Sequence, residues 1–311
     1  MNFENTFANH SKIKGFSLVI IAATLWGISG PVAQYLFQQH SFSPEWLVVV
    51  RLLMSGFLLL GLAYRKEKYK VWGIWKDRND RLSLLLFSIL GILAVQYTFF
   101  AAIKNGNAAT ATVLQYLAPV IITGYLAIRS KRFPSTKEIT ALLLAIAGTF
   151  LLITHGKIHS LSISGLTVFW GLSSALALAF YTLQPHRILQ KWGSTIVIGW
   201  GMLIGGIAFS PIHFPWLYHG SWSIPIYLSL FFIIIFGTII AFFCYLESLK
   251  YISCASQSSL LACLEPLSAT LLSVAWLNVS FGFMEWIGTG CILCTIVLLS
   301  ASKNNETSKN N

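Results

Sequence analysis

Ten apolar stretches, each about 17 to 25 residues long, constrain this chain more than any motif does. The first half holds Phe16–Phe37, Glu45–Tyr64, Leu82–Ile103, Ala108–Ile128 and Lys137–Thr154. The second half holds Gly165–Leu183, Thr195–Pro211, Ile224–Ser248, Ser253–Trp276 and Met284–Ser300. A bilayer core of ~30 Å takes about 20 helical residues to cross. Hydrocarbon offers the backbone no hydrogen-bond partner, so segments of this length predict helices. Composition agrees, with 56% hydrophobic and 10% charged residues, where a soluble domain carries about 25% charge. The expectation is an all-α membrane protein with ten transmembrane helices. Phe16–Phe37 is too long for a signal-peptide core and lacks a small-residue cleavage site, so it predicts a mature helix.

The two halves echo each other. Ala108–Pro119 aligns with Ala255–Pro266 without a gap, pairing Pro119 with Pro266, Ala118 with Glu265 and, further on, Glu138 with Glu285. All three pairs share an offset of 147 residues, nearly half the chain. This pattern predicts an internal duplication: a five-helix repeat over 16–154 and another over 165–301. Polar tails, 1–15 and 302–311, flank them, the latter low in complexity and expected to be irregular. Five is an odd number, so the second repeat must lie upside down relative to the first. Inverted repeats are typical of transporters, whose sites lie near the midplane where the repeats meet, around a central cavity.

Charge placement gives the orientation. Of 21 Lys and Arg residues, 18 fall in the tails and alternate loops of one side. Only Lys104 and Lys157 fall in the loops of the other side, and Arg51 lies inside the second span. The positive-inside rule then predicts a multi-pass cell-membrane protein with both termini cytoplasmic. The net charge of +11 has the same explanation, and no basic–aromatic stripe suggests nucleic acid. All five cysteines lie in or beside apolar spans; Cys291 and Cys294 form a C-x-x-C that reads as helix packing, since no second pair completes a zinc site. No nucleotide motif appears. Neither a metal nor any other cofactor is expected.

Within the apolar spans the chemistry converges on Glu265-Pro266. Around them, from Ser253 to Trp276, no other formal charge appears. A charge at that depth costs about 2.5–3.5 kcal/mol on insertion scales, and Pro266 removes a backbone donor beside it. Both point to a polar cavity. Glu265 reads as a proton carrier or the partner of a cationic substrate, or else as a structural acid holding helices together. Ser258, Ala262, Glu265 and Ala269 share a helix face, as do Ala111, Gln115, Ala118 and Ile122 in the earlier repeat. Gln115 and Glu265 could therefore line opposite walls, with an interhelical hydrogen bond as the alternative for Gln115. Arg51 lies six residues beyond Glu45, roughly 9 Å into its span. It suits a gating or coupling role, by drawing an anion or pairing with Glu265, or it snorkels to the headgroups. Trp26, Gln96, Tyr97, Tyr116 and Tyr181 lie away from the extreme span ends and suit walls that hold a flat or amphipathic solute. Trp46, Trp170, Trp222 and Trp286 read as interfacial anchors.

The chain also resembles the drug/metabolite transporter superfamily, specifically its EamA-type members. The residues that carry the resemblance are Leu25-Trp26-Gly27, Arg51, Ala101-Ala102-Ile103 and Leu117-Ala118-Pro119, then Leu264-Glu265-Pro266 and Glu285-Trp286-Ile287-Gly288. It spans about Phe16 to Ser300 and implies ten helices around a central cavity, exporting small solutes such as amino acids, amines or related metabolites. Ile28-Ser29-Gly30-Pro31 departs from the pattern, since many members carry Asn shortly after Trp-Gly.

The expected function is thus a secondary transporter, an exporter working by alternating access, with protons as the coupling ion through Glu265. Its partners would be a small-molecule substrate and the lipid bilayer, and the chain a monomer or homodimer. An integral membrane enzyme acting on a lipid or small metabolite is the alternative, but such sites cluster acids and histidines that here are sparse and scattered.

Overall fold

The computed structural model describes residues 3–131, 133, 135–154, 163–214, 222–248, 251 and 264–309. It is 86% helical. Among the described residues there is no strand. We number the long helices α1 (Phe3–Gln39), α2 (Pro44–Glu67), α3 (Arg78–Asn105), α4 (Ala108–Arg129) and α5 (Thr136–Thr154) in the first half. The second half has α6 (Gly165–Leu183), α7 (Ser194–Phe209), α8 (Ile224–Phe231 continuing through Ala241–Ser248), α9 (Leu264–Leu277) and α10 (Phe283–Lys309). Each predicted span falls on one of these, although residues 253–263 of the ninth lie outside the described residues. Among the described residues, six helices are long and apolar enough to cross a membrane, and seven if the bent pair His186–Trp192 and Ser194–Phe209 counts as one span. The two members of that pair meet at 120° around Gly193, whose φ of +82° suits glycine alone.

Local sequence sets the helix starts. Ser43 accepts a hydrogen bond from the Trp46 amide just before Pro44, and Asp77 accepts from Asn79 and Asp80. Asn107 accepts from Thr110 and begins α4 directly after the short turn from α3. The tails differ from expectation: α1 begins at Phe3 and α10 runs to Lys309. Adding a residue to a helix already nucleated needs only one further hydrogen bond, so polar ends can extend a membrane span.

Packing joins the halves. α5 lies on α10, α2 on α7, α3 on α6, α1 on both α8 and α9, and α4 on α9. Along α2 and α7 the backbones nearly touch. A Cβ on Gly56 would meet the Leu203 amide nitrogen at 2.6 Å, one on Gly199 would meet the Leu60 side chain at 3.1 Å, and one on Gly206 the Leu53 side chain at 2.9 Å. The partners descend one helix as they ascend the other, so the two run antiparallel.

At the end where α3 begins, Asp80 is wholly buried. It accepts from Lys191 Nζ at 2.6 Å and Trp192 Nε1 at 3.0 Å, and Arg187 lies 3.5 Å away. Gly73 leaves room for the Trp192 ring. Asp80→Asn should cost about 1.5–3 kcal/mol, the worth of a hydrogen bond to a charged group. Thermal unfolding of the purified protein checks this; an unchanged melting temperature would mark the pair as incidental.

Candidate functional site

The residues singled out from sequence fall into two connected groups, with Gln115 and Tyr97 outside them. The first centres on Glu265, in the first turn of α9. Its Oε2 accepts a hydrogen bond from the Tyr116 hydroxyl at 2.9 Å, across the α4–α9 contact. Tyr116 is presented by a break in α4: the regular helix stops at Gln115 and restarts at Ala118, next to Pro119. On its other side, Glu265 meets α1. A Cβ on Gly27 would lie 2.5 Å from the Glu265 carbonyl oxygen and 2.8 Å from Ser268 Cβ, so glycine is what allows this approach. One residue earlier, Trp26 packs on Phe242 and Tyr245 of α8, with ring centroids 5.2 and 5.4 Å away. Tyr181 of α6 leans its ring on Phe87 of α3. Glu265, Tyr116, Trp26, Tyr181 and Tyr245 are all half-buried.

The second group centres on Arg51, which is buried and does not snorkel. Its Nε donates to Thr238 Oγ1 at 2.8 Å, one terminal nitrogen to Gln96 Oε1 at 2.9 Å, and the other to the Gly237 carbonyl at 3.2 Å. Its guanidinium also lies 5.3 Å from the centroid of the Phe100 ring. Arg51 and Glu265 interact electrostatically, although Arg51's hydrogen bonds go to these neutral groups.

Gln115 lies outside both groups, donating to Ser174 Oγ on α6 at 2.6 Å; Tyr116, its neighbour, is the residue that reaches Glu265. Tyr97 donates to Glu45 at 3.1 Å and packs on Trp170 and Phe209, which ties it to the ends of α2, α6 and α7. Ser258 and Ala262, expected on the Glu265 face, lie outside the described residues, as do Cys254 and Cys263. Cys291 and Cys294 are free thiols on α10. Sequence reasoning missed Thr238, Ser174 and Tyr245. Little in the sequence points to them: Thr238 and Tyr245 share one apolar span with other hydroxyls, and Ser174 stands beside Ser173 in another.

The arrangement brings one carboxyl, one guanidinium and a wall of aromatic rings with polar tips to the place where helices of both halves meet. That is the equipment of a small-solute binding site, where a few polar groups orient a ligand against aromatic walls. The model of the EamA-like transporter family matches the chain twice, over residues 13–154 and 165–301. An inner membrane transporter of Salmonella typhimurium, YicL, is 42% identical over 287 residues, covering 92% of this chain and 95% of its own. The Bacillus subtilis transporter YwfM is 26% identical over 93% of this chain and 94% of its own. One solved crystal structure superposes with a TM-score of 0.62 at 16% identity, over 93% of this chain and 96% of that one, a likeness of fold alone. The chain belongs to the EamA-like transporter family. It is a multi-pass membrane transporter, and its relatives carry the names of transporters, not of enzymes.

Proposed function

We propose that this protein is a secondary transporter that exports a small organic solute, an amino acid, amine or related metabolite, across the cytoplasmic membrane by alternating access. The observation that carries the reading is the Glu265 cluster: an acid on α9 bonded to Tyr116 of α4 and pressed against α1 beside Trp26, which packs on Tyr245 of α8. Trp26, Gln96, Tyr97, Gln115, Tyr181 and Glu265 contact the solute in this reading; Glu265 carries the coupling proton, and Arg51 gates. The ten helices form two inverted five-helix repeats around the site. Two features support this. The offset of 147 makes Gly56 and Leu203 equivalent positions, and these two residues touch each other. They do so between antiparallel helices, as an inverted two-fold relation requires.

A thermal-shift screen of amino acids, amines and nucleobases would find the solute, because a ligand that binds only the folded state raises its melting temperature. Flux of that solute into proteoliposomes then tests the function. Saturable uptake with counterflow is expected; uptake that neither saturates nor shows counterflow would overturn the transporter mechanism.

Topology gives a separate test. Single cysteines introduced at Lys157 and His219 should react with an impermeant reagent from outside the cell. Those at Arg78, Lys131, Lys191 and Lys303 should react only after permeabilisation. Termini on opposite sides would refute the inverted pair.

A further inference from the structure

Two helices, α3 and α8, each contain a π-helical stretch, at Phe87–Leu93 and Phe232–Ile240. The offset of 147 carries the first onto residues 234–240, inside the second. The π turn is rare and occurs often at functional sites. Here it recurs at one place in both halves, yet its two copies are held by different means. Against the α3 copy, α7 presses its own backbone. A Cβ on Gly201 would meet Ile92 at 2.6 Å, and one on Gly205 would lie 3.3 Å from the Ser88 carbonyl oxygen. Against the α8 copy, α2 reaches with a side chain: Arg51 donates to Thr238 Oγ1 and to the Gly237 carbonyl, while its remaining nitrogen holds Gln96 of α3. Thr238 in turn donates its own hydroxyl hydrogen bond to the Ile233 carbonyl at 2.8 Å, within the same π turn. On the far side of the turn, Gly237 leaves room for Ser29 of α1.

We propose that Arg51 is a positioning residue, a releasable clasp that holds the π turn of α8 against α2 and α3, and that its release lets α8 bend there and open the α2–α8 junction. The α3–α7 junction is interlocked backbone to side chain and stays shut under the same change. A guanidinium suits the task, since its planar fork makes three bonds to three separate groups from one buried position, which the point charge of a lysine does not reproduce. Three such bonds to neutral acceptors hold firmly but leave no interlocking surface once broken. The proposal rests on the alternating-access reading for its purpose, but not for its test.

The test measures distances between spin labels in purified full-length protein in nanodiscs, without substrate, with the native cysteines replaced by serine. One label pair, at Met54 and Ile224, spans the α2–α8 junction; a second, at Leu90 and Ile207, spans α3–α7. All four side chains are exposed in the structure. Arg51→Gln and Thr238→Val should each add a longer population at the first pair and leave the second unchanged, with Arg51→Gln the larger. Thr238→Val keeps the side-chain shape and removes the hydroxyl, which is both the acceptor for Arg51 and the donor to Ile233, so it decides the matter where Arg51→Gln fails to fold. Wild-type distributions at the first pair in either folded variant would overturn the clasp, and so would equal movement at both pairs. Unmoved distances would leave the transport reading standing, and absent solute flux would leave the clasp standing.

Discussion

Glu265→Gln should abolish accumulation driven by a pH gradient in proteoliposomes while leaving energy-independent counterflow intact. Glutamine keeps the shape of the protonated acid and an oxygen for the Tyr116 hydroxyl, now 2.9 Å from the carboxylate. What it lacks is the ability to bind and release a proton, so the loss should be confined to coupling. Should Glu265 bind a cationic group of the solute instead, counterflow weakens as well. A hydrogen bond to a charged group is worth about 1.5–3 kcal/mol, which converts to an affinity loss of roughly 10- to 150-fold. A purely structural acid predicts a third pattern, in which both activities fall with the melting temperature and Glu265→Ala is worse than Glu265→Gln. Wild-type pH dependence and affinity in a well-folded Glu265→Gln protein would remove this residue from the mechanism.

The second large effect belongs to a residue with no side chain. Gly27→Ala would set a Cβ 2.5 Å from the Glu265 carbonyl oxygen and 2.8 Å from Ser268 Cβ. The first obstacle is backbone and cannot swing aside, so α1 and α9 must part. Overpacking of this kind costs about 1–3 kcal/mol. Moving the site by even 1 Å can cost about 10²-fold in rate. Flux should therefore fall further than the melting temperature alone would suggest. Gly61→Ala is the control. A Cβ there meets nothing within 4 Å, and alanine's helix preference is worth up to about 1 kcal/mol. Comparable losses from both substitutions would show that position 27 carries no special constraint.

The helices were legible in the sequence because membrane spans must be both long and apolar. Their starts, set by caps at Ser43, Asp77 and Asn107, were legible only approximately, the third span reading from Leu82 where the helix begins at Arg78. Glu265 was legible because a charge in an apolar run has no cheap explanation. Its partner was harder to foresee. Helical periodicity placed Gln115 on the facing wall, but the break in α4 after Gln115 rotates the next residues, and Tyr116 takes that place. Arg51 was visible as a buried charge, yet its partners were not. They are a hydroxyl, an amide oxygen and a backbone carbonyl, brought together by a π turn that no residue pattern announces. Gly27 stood inside a recognisable tripeptide, but what it makes room for depends on which helix crosses there, a matter of tertiary packing.

The Gly56–Leu203 contact has a mechanical consequence. If the halves are the inverted repeats proposed above and work by alternating access, the two end states arise when they trade conformations, and points on the axis that relates them are common to both. A residue that touches its own counterpart sits on such a point. The close-packed line of α2 and α7 through Gly56, Leu60, Gly199 and Leu203 would then act as a fulcrum, keeping its internal distances while the far ends of the bundle rock about it. Selection there would act on the fit of a bearing, whatever the cargo.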